Sequence, residues 1–532
     1  MFEWVIQVLR AQGCPSSMNW FSFAIDPLLL FLERRLDGIP IHSLPVLGPV
    51  EKKKPRLPPL TVEHFKVLGL ADDIKPSVMS MAEFEVVERG ATLFEWSTGN
   101  QLHRDPVKGK CKALLLGRWK GVLQQEDIGY PHFRITDSLA FIGVRLTASW
   151  QRTRKENNDE LLDRVKSTIG AWKAGKFLPL ICRPFSVNSY CLSRIWFCTH
   201  TVDLRVGDIE SITSTVKQYI YRDMLEKPGE LLLYRPTDQG GLGLHNIRCK
   251  ALASRITTFL QTAANPRFQQ SAYYSALYHY HCLNDDIFGK PAPPPYYDAA
   301  FFEQIKKAMD KSHVNPIQMS LKQWYSYLLE EEVTMQEEFV AGPMVSKLSR
   351  IEALSPTTDW QKIYFLSRQK GLSPDIKSFN FKLINSLLPF KQRVSNLLPN
   401  SLPQCTLCPG RPAPGPAPHE SPQHAYFECE WNREAGVALL SLVRVFDSTI
   451  TEDKLLKLDV STTDIYEQPC ILLLSCGLEL IWRNRVNKKK TSVQSLRAEI
   501  MCTVSLLRDV KARRLRECGR MIKNHIENFL VL

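Results

Sequence analysis

The chain of 532 residues has no apolar run long enough to cross a bilayer. Its most apolar stretches, 27–32 and 471–482, fall short of the ~20 residues that a spanning helix needs. That argues against a membrane-embedded protein. No secretory leader is expected, because Glu3, Arg10 and Pro15 interrupt the first residues where an apolar core would sit. The 14 cysteines are scattered and lack the dense spacing of a disulfide scaffold, which suits a reducing compartment. No internal repeat is visible, so a solenoid is not expected. These absences point to the nucleus or the cytoplasm, with no membrane partner.

What is present is an ordinary folded composition, 44% hydrophobic and 23% charged, with a formal net charge of +13. The length allows two to four domains. A basic excess favours polyanions such as nucleic acid, unless the charge is spread evenly for solubility.

Residues 1–9 have the spacing of a short amphipathic helix, broken by Gly13 and Pro15. Asp26-Pro27 has the form of a helix start, predicting a helix through Leu36. The Pro- and Lys-rich stretch 41–60 predicts an exposed loop. A helix is expected over 83–96, packing Phe84, Val87, Leu93 and Phe94, and strands over 113–116 and 139–146. From Asn158 onward helical stripes dominate: Leu161, Leu162, Val165, Ile169 and Trp172; Ile209, Ile212, Val216 and Ile220; Ile247, Ala251, Ile256 and Phe259. The run Pro291-Ala292-Pro293-Pro294-Pro295 reads as a stiff linker and a domain boundary.

Two stretches carry candidate chemistry. Asp72 and Asp73 follow the apolar run 67–70; if that run is a strand, two carboxylates meet on the turn leaving it. Such a pair suits Mg²⁺, which prefers hard oxygen ligands and substrate phosphates, although Asp-Asp is also an ordinary turn dipeptide. The second stretch is Cys405-x-x-Cys408, fifteen residues, then His424-x₄-Cys429. Thiolates and imidazole in that order suit tetrahedral Zn²⁺, and four protein ligands leave no open position, so the site would be structural. The alternative is reduced free cysteines beside a surface histidine. The interval 409–422 is rich in Pro and Gly and is expected to bulge into solvent. His419 lies within it and is a weaker candidate ligand.

Several short motifs, in order, resemble the reverse transcriptase of non-LTR (LINE-type) retrotransposons. Gln12, Gly13, Cys14, Pro15 and Ser16 resemble its template- and nucleotide-contacting "QGCPLS" motif. Leu70-Ala71-Asp72-Asp73 resembles its "YADD" box, with Leu in place of Tyr. Thr98 to Leu102 followed by Lys110 resembles its "SG-x-x-L-N-x-x-K" segment, and Phe141, Ile142, Gly143 and Val144 resemble its primer-grip strand. Gly240-Gly241-Leu242-Gly243-Leu244 resembles the "GGLGL" signature after the thumb, and Cys405, Cys408, His424 and Cys429 its C-terminal zinc pattern. The resemblance implies an α+β fold: a partial palm over 1–150, a helical thumb over 151–285, a helical linker domain over 286–400, a zinc segment over 401–435 and a basic helical tail over 436–532. It implies RNA-directed DNA polymerase descent, with Asp72 and Asp73 holding Mg²⁺, Lys110 near the phosphates and RNA and DNA as template-primer. Other retroelement proteins are further candidate partners.

Arg183, Arg194, Lys217 and Arg222 are then expected to contact phosphates from the thumb, unless they are simply solvated helix faces. From Glu467 onward the tail reads as two long helices with an apolar stripe of Val493, Leu496, Ile500, Val504 and Leu507. Its other faces carry Arg483, Arg485, Lys488, Lys489, Lys490, Lys511, Arg513, Arg514, Arg516, Arg520 and Lys523, a candidate phosphate-binding surface or a solvated face. The family takes a further metal-binding Asp from well upstream of "QGCP", and none of residues 1–11 is Asp. The expectation is a truncated, catalytically inactive chain. The alternative is a nucleic-acid-binding scaffold derived from a retroelement.

Overall fold

Helices make up most of the described residues in the computed structural model, as the apolar stripes require. The structure describes residues 17–37, 39–43, 61–65, 67–70, 73–98, 111–116, 119–141, 143–173, 178–222, 224–225, 227–265, 271–284, 293, 297–311, 316–339, 358–369, 371–398, 400–408, 418–460, 464–508 and 513–529. The helix expected over 1–9 lies outside them. The chain divides into two compact units. Met1–Asp163, Arg194–Ile209 and Arg248–Leu328 form one; Arg164–Ser193, Glu210–Ile247 and Leu329–Leu532 form the other. No helix among the described residues is long and apolar enough to cross a membrane.

In the first unit, α1 (Ser17–Arg35) runs through Asp26-Pro27 instead of starting there. Its stripe of Ile25, Leu28, Leu32 and Leu36 is continuous across the proline and packs on Val87 and Phe94 of α2 (Met81–Thr98). An interior proline gives up a backbone bond, at a cost of ~3 kcal/mol, which this burial offsets. Leu93, expected in the core, is exposed: it is the helical neighbour of Phe94, and only one of the two can face α1.

The strands pair two by two. β1 (Ile39–Ser43) and β2 (Thr61–Phe65) are antiparallel, so residues 41–43 belong to a strand and not to the expected loop. Ile39 and Ile41 alternate with Pro40 and His42, a period of two that the Pro-rich composition obscured. β3 (Val67–Leu70) and β4 (Asp73–Pro76) are antiparallel with Leu70 opposite Asp73. β5 (Cys111–Leu114) lies parallel to β6 (Phe133–Thr136), which the sequence reading missed. The single strand expected over 139–146 is a hairpin, β7 (Ser138–Phe141) and β8 (Val144–Thr147), with Phe141 opposite Val144. Gly143 has a φ of +75°, left-handed backbone that no continuous strand contains.

The helix α3 (Trp150–Lys173) begins eight residues before the stripe suggested, because its first turns serve the hairpin. The Asn157 side chain accepts from the Arg145 N–H at 2.8 Å and donates to the Arg145 carbonyl at 2.7 Å, acting as a third strand for β8. Leu161, Val165 and Ile169 are buried as expected. So are Ile212, Val216 and Ile220 of α4 (Val206–Ile220) and the stripe of α5 (Ile247–Ala264). Phe259 of α5 meets Tyr274 of α6 (Ser271–Leu283), and Tyr297, Phe301 and Phe302 at α7 (Ala299–Lys311), all within 5.7 Å between ring centres. The packing therefore continues past the Pro-rich run, most of which lies outside the described residues; the compact units do not divide there.

The second unit is helical. Beyond α8 (Leu321–Phe339) come α9 (Trp360–Leu366), α10 (Pro374–Ile384) and α11 (Lys391–Leu397). They are followed by α12 (Arg433–Arg444), α13 (Glu452–Lys457), α14 (Asp464–Val486), α15 (Val493–Arg508) and α16 (Arg513–Phe529). From Glu467 onward the described residues thus fall in three helices, α14, α15 and α16, where two were expected. Just past the end of α14, Lys488 has a φ of +53° that reverses the chain. α14 is the central element: Cys470, Ile471, Leu472, Leu473, Leu474, Leu478 and Ile481 are all buried in one apolar core with α9, α10, α12, α15 and α16. The expected stripe on α15 is buried at Leu496, Ile500, Val504 and Leu507.

The Gly-rich run 240–244 is a packing joint in this unit. A Cβ on Gly240 would lie 2.5 Å from the Tyr364 ring, and one on Gly241 would lie 2.0 Å from the Arg235 carbonyl oxygen. Arg368 donates to the Gly241 carbonyl, so the bare backbone is clasped by residues from α9 and just beyond it. Arg183, expected on a phosphate-binding face, is buried instead, donating to the carbonyls of Ile220 at 2.7 Å and Leu178 at 2.9 Å.

Candidate metal centre

The four residues Cys405, Cys408, His424 and Cys429 converge, each offering one ligand atom, and these atoms all lie within 4.8 Å of one another. Cys408 Sγ is 3.4 Å from His424 Nε2 and 3.6 Å from Cys429 Sγ. Zn–S bonds of ~2.3 Å in a tetrahedron set the sulfurs ~3.8 Å apart, so the spacing fits zinc closely. Cys405, His424 and Cys429 are buried, and Cys408 is half-buried.

Local backbone explains how the sequence builds this. Residues 403–405 pair with 418–420: the Cys405 N–H donates to the Pro418 carbonyl at 2.9 Å, the Glu420 N–H to the Pro403 carbonyl at 2.8 Å, and Gln404 bridges His419. The end of the Pro-rich interval therefore returns to the site and packs there, contrary to the expected bulge. Residues 409–417 lie outside the described set. His419 is exposed and takes no part.

His424 and Cys429 are five residues apart. On an α-helix that offset turns the side chains ~140° away from each other. The chain solves this with a π-turn over His424–Glu428, closed by the Cys429 N–H donating to the His424 carbonyl at 2.7 Å. A wider turn brings positions i and i+5 to one side, a device that recurs at functional sites.

The backbone N–H groups of Leu407, Glu430 and Trp431 pull the Cys405, Cys408 and Cys429 thiols, respectively, toward the thiolate. Such donors stabilise thiolates. The Cys429 thiol, followed by Arg485, pushes Cys405 down to about 3; the same Cys405–Cys429 bond, reinforced by burial, pushes Cys429 up. Burial pushes Cys408 up as well. A metal ion would bind the three cysteines as thiolates and release their protons. His424 Nδ1 faces Glu428 Oε2 at 3.5 Å, which leaves Nε2 toward the sulfurs. The donor set, its spacing and its outer partners all fit a structural zinc ion, which would tie the 403–408 loop to the π-turn.

Arg485 completes the surroundings and was misjudged from the sequence, where it counted toward the basic face. It is 6% exposed. The signal was available: Leu474, Leu478 and Ile481 are buried at helical spacing, and Arg485 extends that stripe. Of the remaining tail cations, Arg483 pairs with Glu479 and Glu499, Arg513 with Glu517 and Lys490 with Glu434 at 3.8 Å. Lys488, Lys489 and Lys490 are exposed. Their loop is tied to the metal segment by the Thr491 N–H donating to the Trp431 carbonyl.

The other candidate residues are not brought together among the described residues. Gln12, Gly13, Cys14, Pro15, Ser16, Asp72, Lys110 and Ile142 lie outside them. Asp73 is the first residue of β4. Phe141 ends β7 and Val144, buried, begins β8, so the expected grip strand is the bend of a hairpin.

No family profile matches the chain. It is similar to the "Transposon TX1 uncharacterized 149 kDa protein" of Xenopus laevis, 25% identical over 191 residues. The match covers 35% of this chain and 12% of that protein. The similarity suggests a transposon-derived protein, and the structure gives it a Cys₃His group that could hold zinc.

Proposed function

We propose that the chain descends from a LINE-type reverse transcriptase, and that its C-terminal region is a zinc-ordered module for binding nucleic acid. The observation that carries the second half is the convergence of the Cys405, Cys408, His424 and Cys429 ligand atoms within 4.8 Å of one another. The transposon similarity and the ordered motifs support the descent. In this reading Asp72 and Asp73 are the Mg²⁺ carboxylates of the parent polymerase site. The bound zinc supplies a fixed cross-link rather than reactivity. The exposed lysines 488–490 next to it supply the phosphate contacts, which need no base recognition.

Titration of the purified chain with single-stranded RNA and duplex DNA at several salt concentrations tests this reading. The expected result is sequence-indifferent binding that weakens steeply with salt and is lost when zinc is chelated. Binding that chelation leaves unchanged would separate the metal from the function.

A further inference from the structure

Arg485 holds three acceptors at once. Its Nη2 lies 3.1 Å from Cys405 Sγ and 2.8 Å from Glu420 Oε2, and its Nη1 lies 3.3 Å from Cys429 Sγ. The Arg485 side chain is 4% exposed and that of Glu420 8%. A buried ion pair is a weak source of stability, because desolvating two charges cancels most of the attraction, and an apolar pair of similar size usually does as well. Packing alone therefore does not account for an arginine here.

The sulfurs account for it. Neutral thiols are poor acceptors and offer little to a guanidinium. Three thiolates, one imidazole and Zn²⁺ sum to a net charge of −1, spread over the sulfurs. A planar fork with several N–H donors can meet two of these sulfurs and a carboxylate together, which the single ammonium of lysine cannot do. Glu420 arrives on the return strand that pairs with 403–405, so the carboxylate that orients the guanidinium belongs to the same loop as Cys405. Arg485 itself lies in the last turn of α14, where the helix dipole favours a cation.

The geometry points to Arg485 as the positioning residue of the metal centre: held by Glu420, it donates to the Cys405 and Cys429 sulfurs, offsets the charge of the loaded site and locks that site to α14. This rests on the zinc reading above and adds a consequence. Metal occupancy is then coupled to the order of the helix at the middle of the second unit, not only to the Cys-bearing loops.

The test uses the full chain, as wild type, Arg485→Lys and the double variant Glu420→Gln with Arg485→Met. The double variant removes both members of the Arg485–Glu420 pair, so neither is left buried alone, and the lysine variant keeps the charge without the fork. Zinc affinity is read by competition with a chelator. Cobalt is substituted for zinc to read the sulfur-to-metal charge-transfer band, and amide exchange is followed over 478–486. Loss of such an outer partner typically weakens metal binding by about 10- to 100-fold. We expect that loss in the double variant and about 10-fold in Arg485→Lys. The cobalt band should move to longer wavelength in both, since sulfurs without the hydrogen bonds are better electron donors. Chelation should speed amide exchange at the end of α14 in wild type, and less so in the variants. Wild-type affinity with an unmoved band in either variant would overturn the inference while leaving the zinc reading intact. A wild-type chain that takes up no zinc would overturn both.

Discussion

Two loops in the second unit are each clasped by an arginine from a later element, and they are built on opposite principles. The metal loops present side chains: three sulfurs and an imidazole meet at a point, and Arg485 grips the sulfurs. The 240–244 loop presents no side chain at its contact. Gly240 and Gly241 expose bare backbone, Tyr364 lies against it, and Arg368 takes the Gly241 carbonyl. Burial pushes the Arg368 guanidinium down to about 10, against the pull of Asp238, so it stays charged at neutral pH. A motif of ligating residues is a site awaiting a partner. A motif of glycines can be a joint whose partner is already in the chain.

The largest expected effect lies on the metal side. Cys408→Ser should abolish stoichiometric zinc and loosen 402–431, read as lost protection in amide exchange. Structural zinc supplies on the order of 10 kcal/mol in small zinc-finger peptides, so no glycine substitution should match it. Unchanged zinc content in this variant would remove Cys408 from the ligand set.

Next comes the joint. Gly241→Ala forces a Cβ onto the Arg235 carbonyl, and overpacking of this kind costs about 3 kcal/mol. The denaturation midpoint should fall while zinc content holds. A loss of zinc with it would mean that the two loops are not independent.

Replacing Lys488, Lys489 and Lys490 with Gln sharpens the comparison from outside, because it touches the metal loop's neighbour and not its ligands. The log–log salt slope of nucleic-acid binding should shrink by about one per lysine with stability little changed. An unaltered slope would move the binding surface elsewhere.

Much of this was legible in the sequence. The Cys and His spacing led to the metal centre because few other arrangements use those residue types at those intervals. The helical stripes at Val165, Val216 and Ile256 mark buried faces that the structure keeps. The misreadings share a cause: local signals gave way to packing. Asp26-Pro27 has the chemistry of a helix start, yet the stripe across it holds the helix together. Arg485 has the composition of a solvated face, yet its helical position is a core position. The 240–244 run matched a family signature without disclosing its role, because the partner that explains it, Tyr364, lies more than a hundred residues away. The π-turn at His424 could not be read from composition, since it exists to bring two residues five apart to one point.

The smallest effect tests the boundary next to the metal segment. Lys488, two residues past α14, is in left-handed backbone, with the Lys489 N–H returning to the Asn484 carbonyl at 2.8 Å. Lys488→Gly should raise stability by about 1 kcal/mol, since glycine avoids the Cβ penalty there. A loss of stability would mean that the lysine side chain holds the loop.

The central claim is that Cys405, Cys408, His424 and Cys429 hold one structural zinc ion. Its most direct test is elemental analysis together with zinc K-edge absorption on wild-type protein purified without added metal. One zinc per chain is expected, with three sulfur neighbours at about 2.3 Å and one nitrogen at about 2.0–2.1 Å. Protein that folds without zinc, or zinc with an oxygen-rich shell, would contradict it.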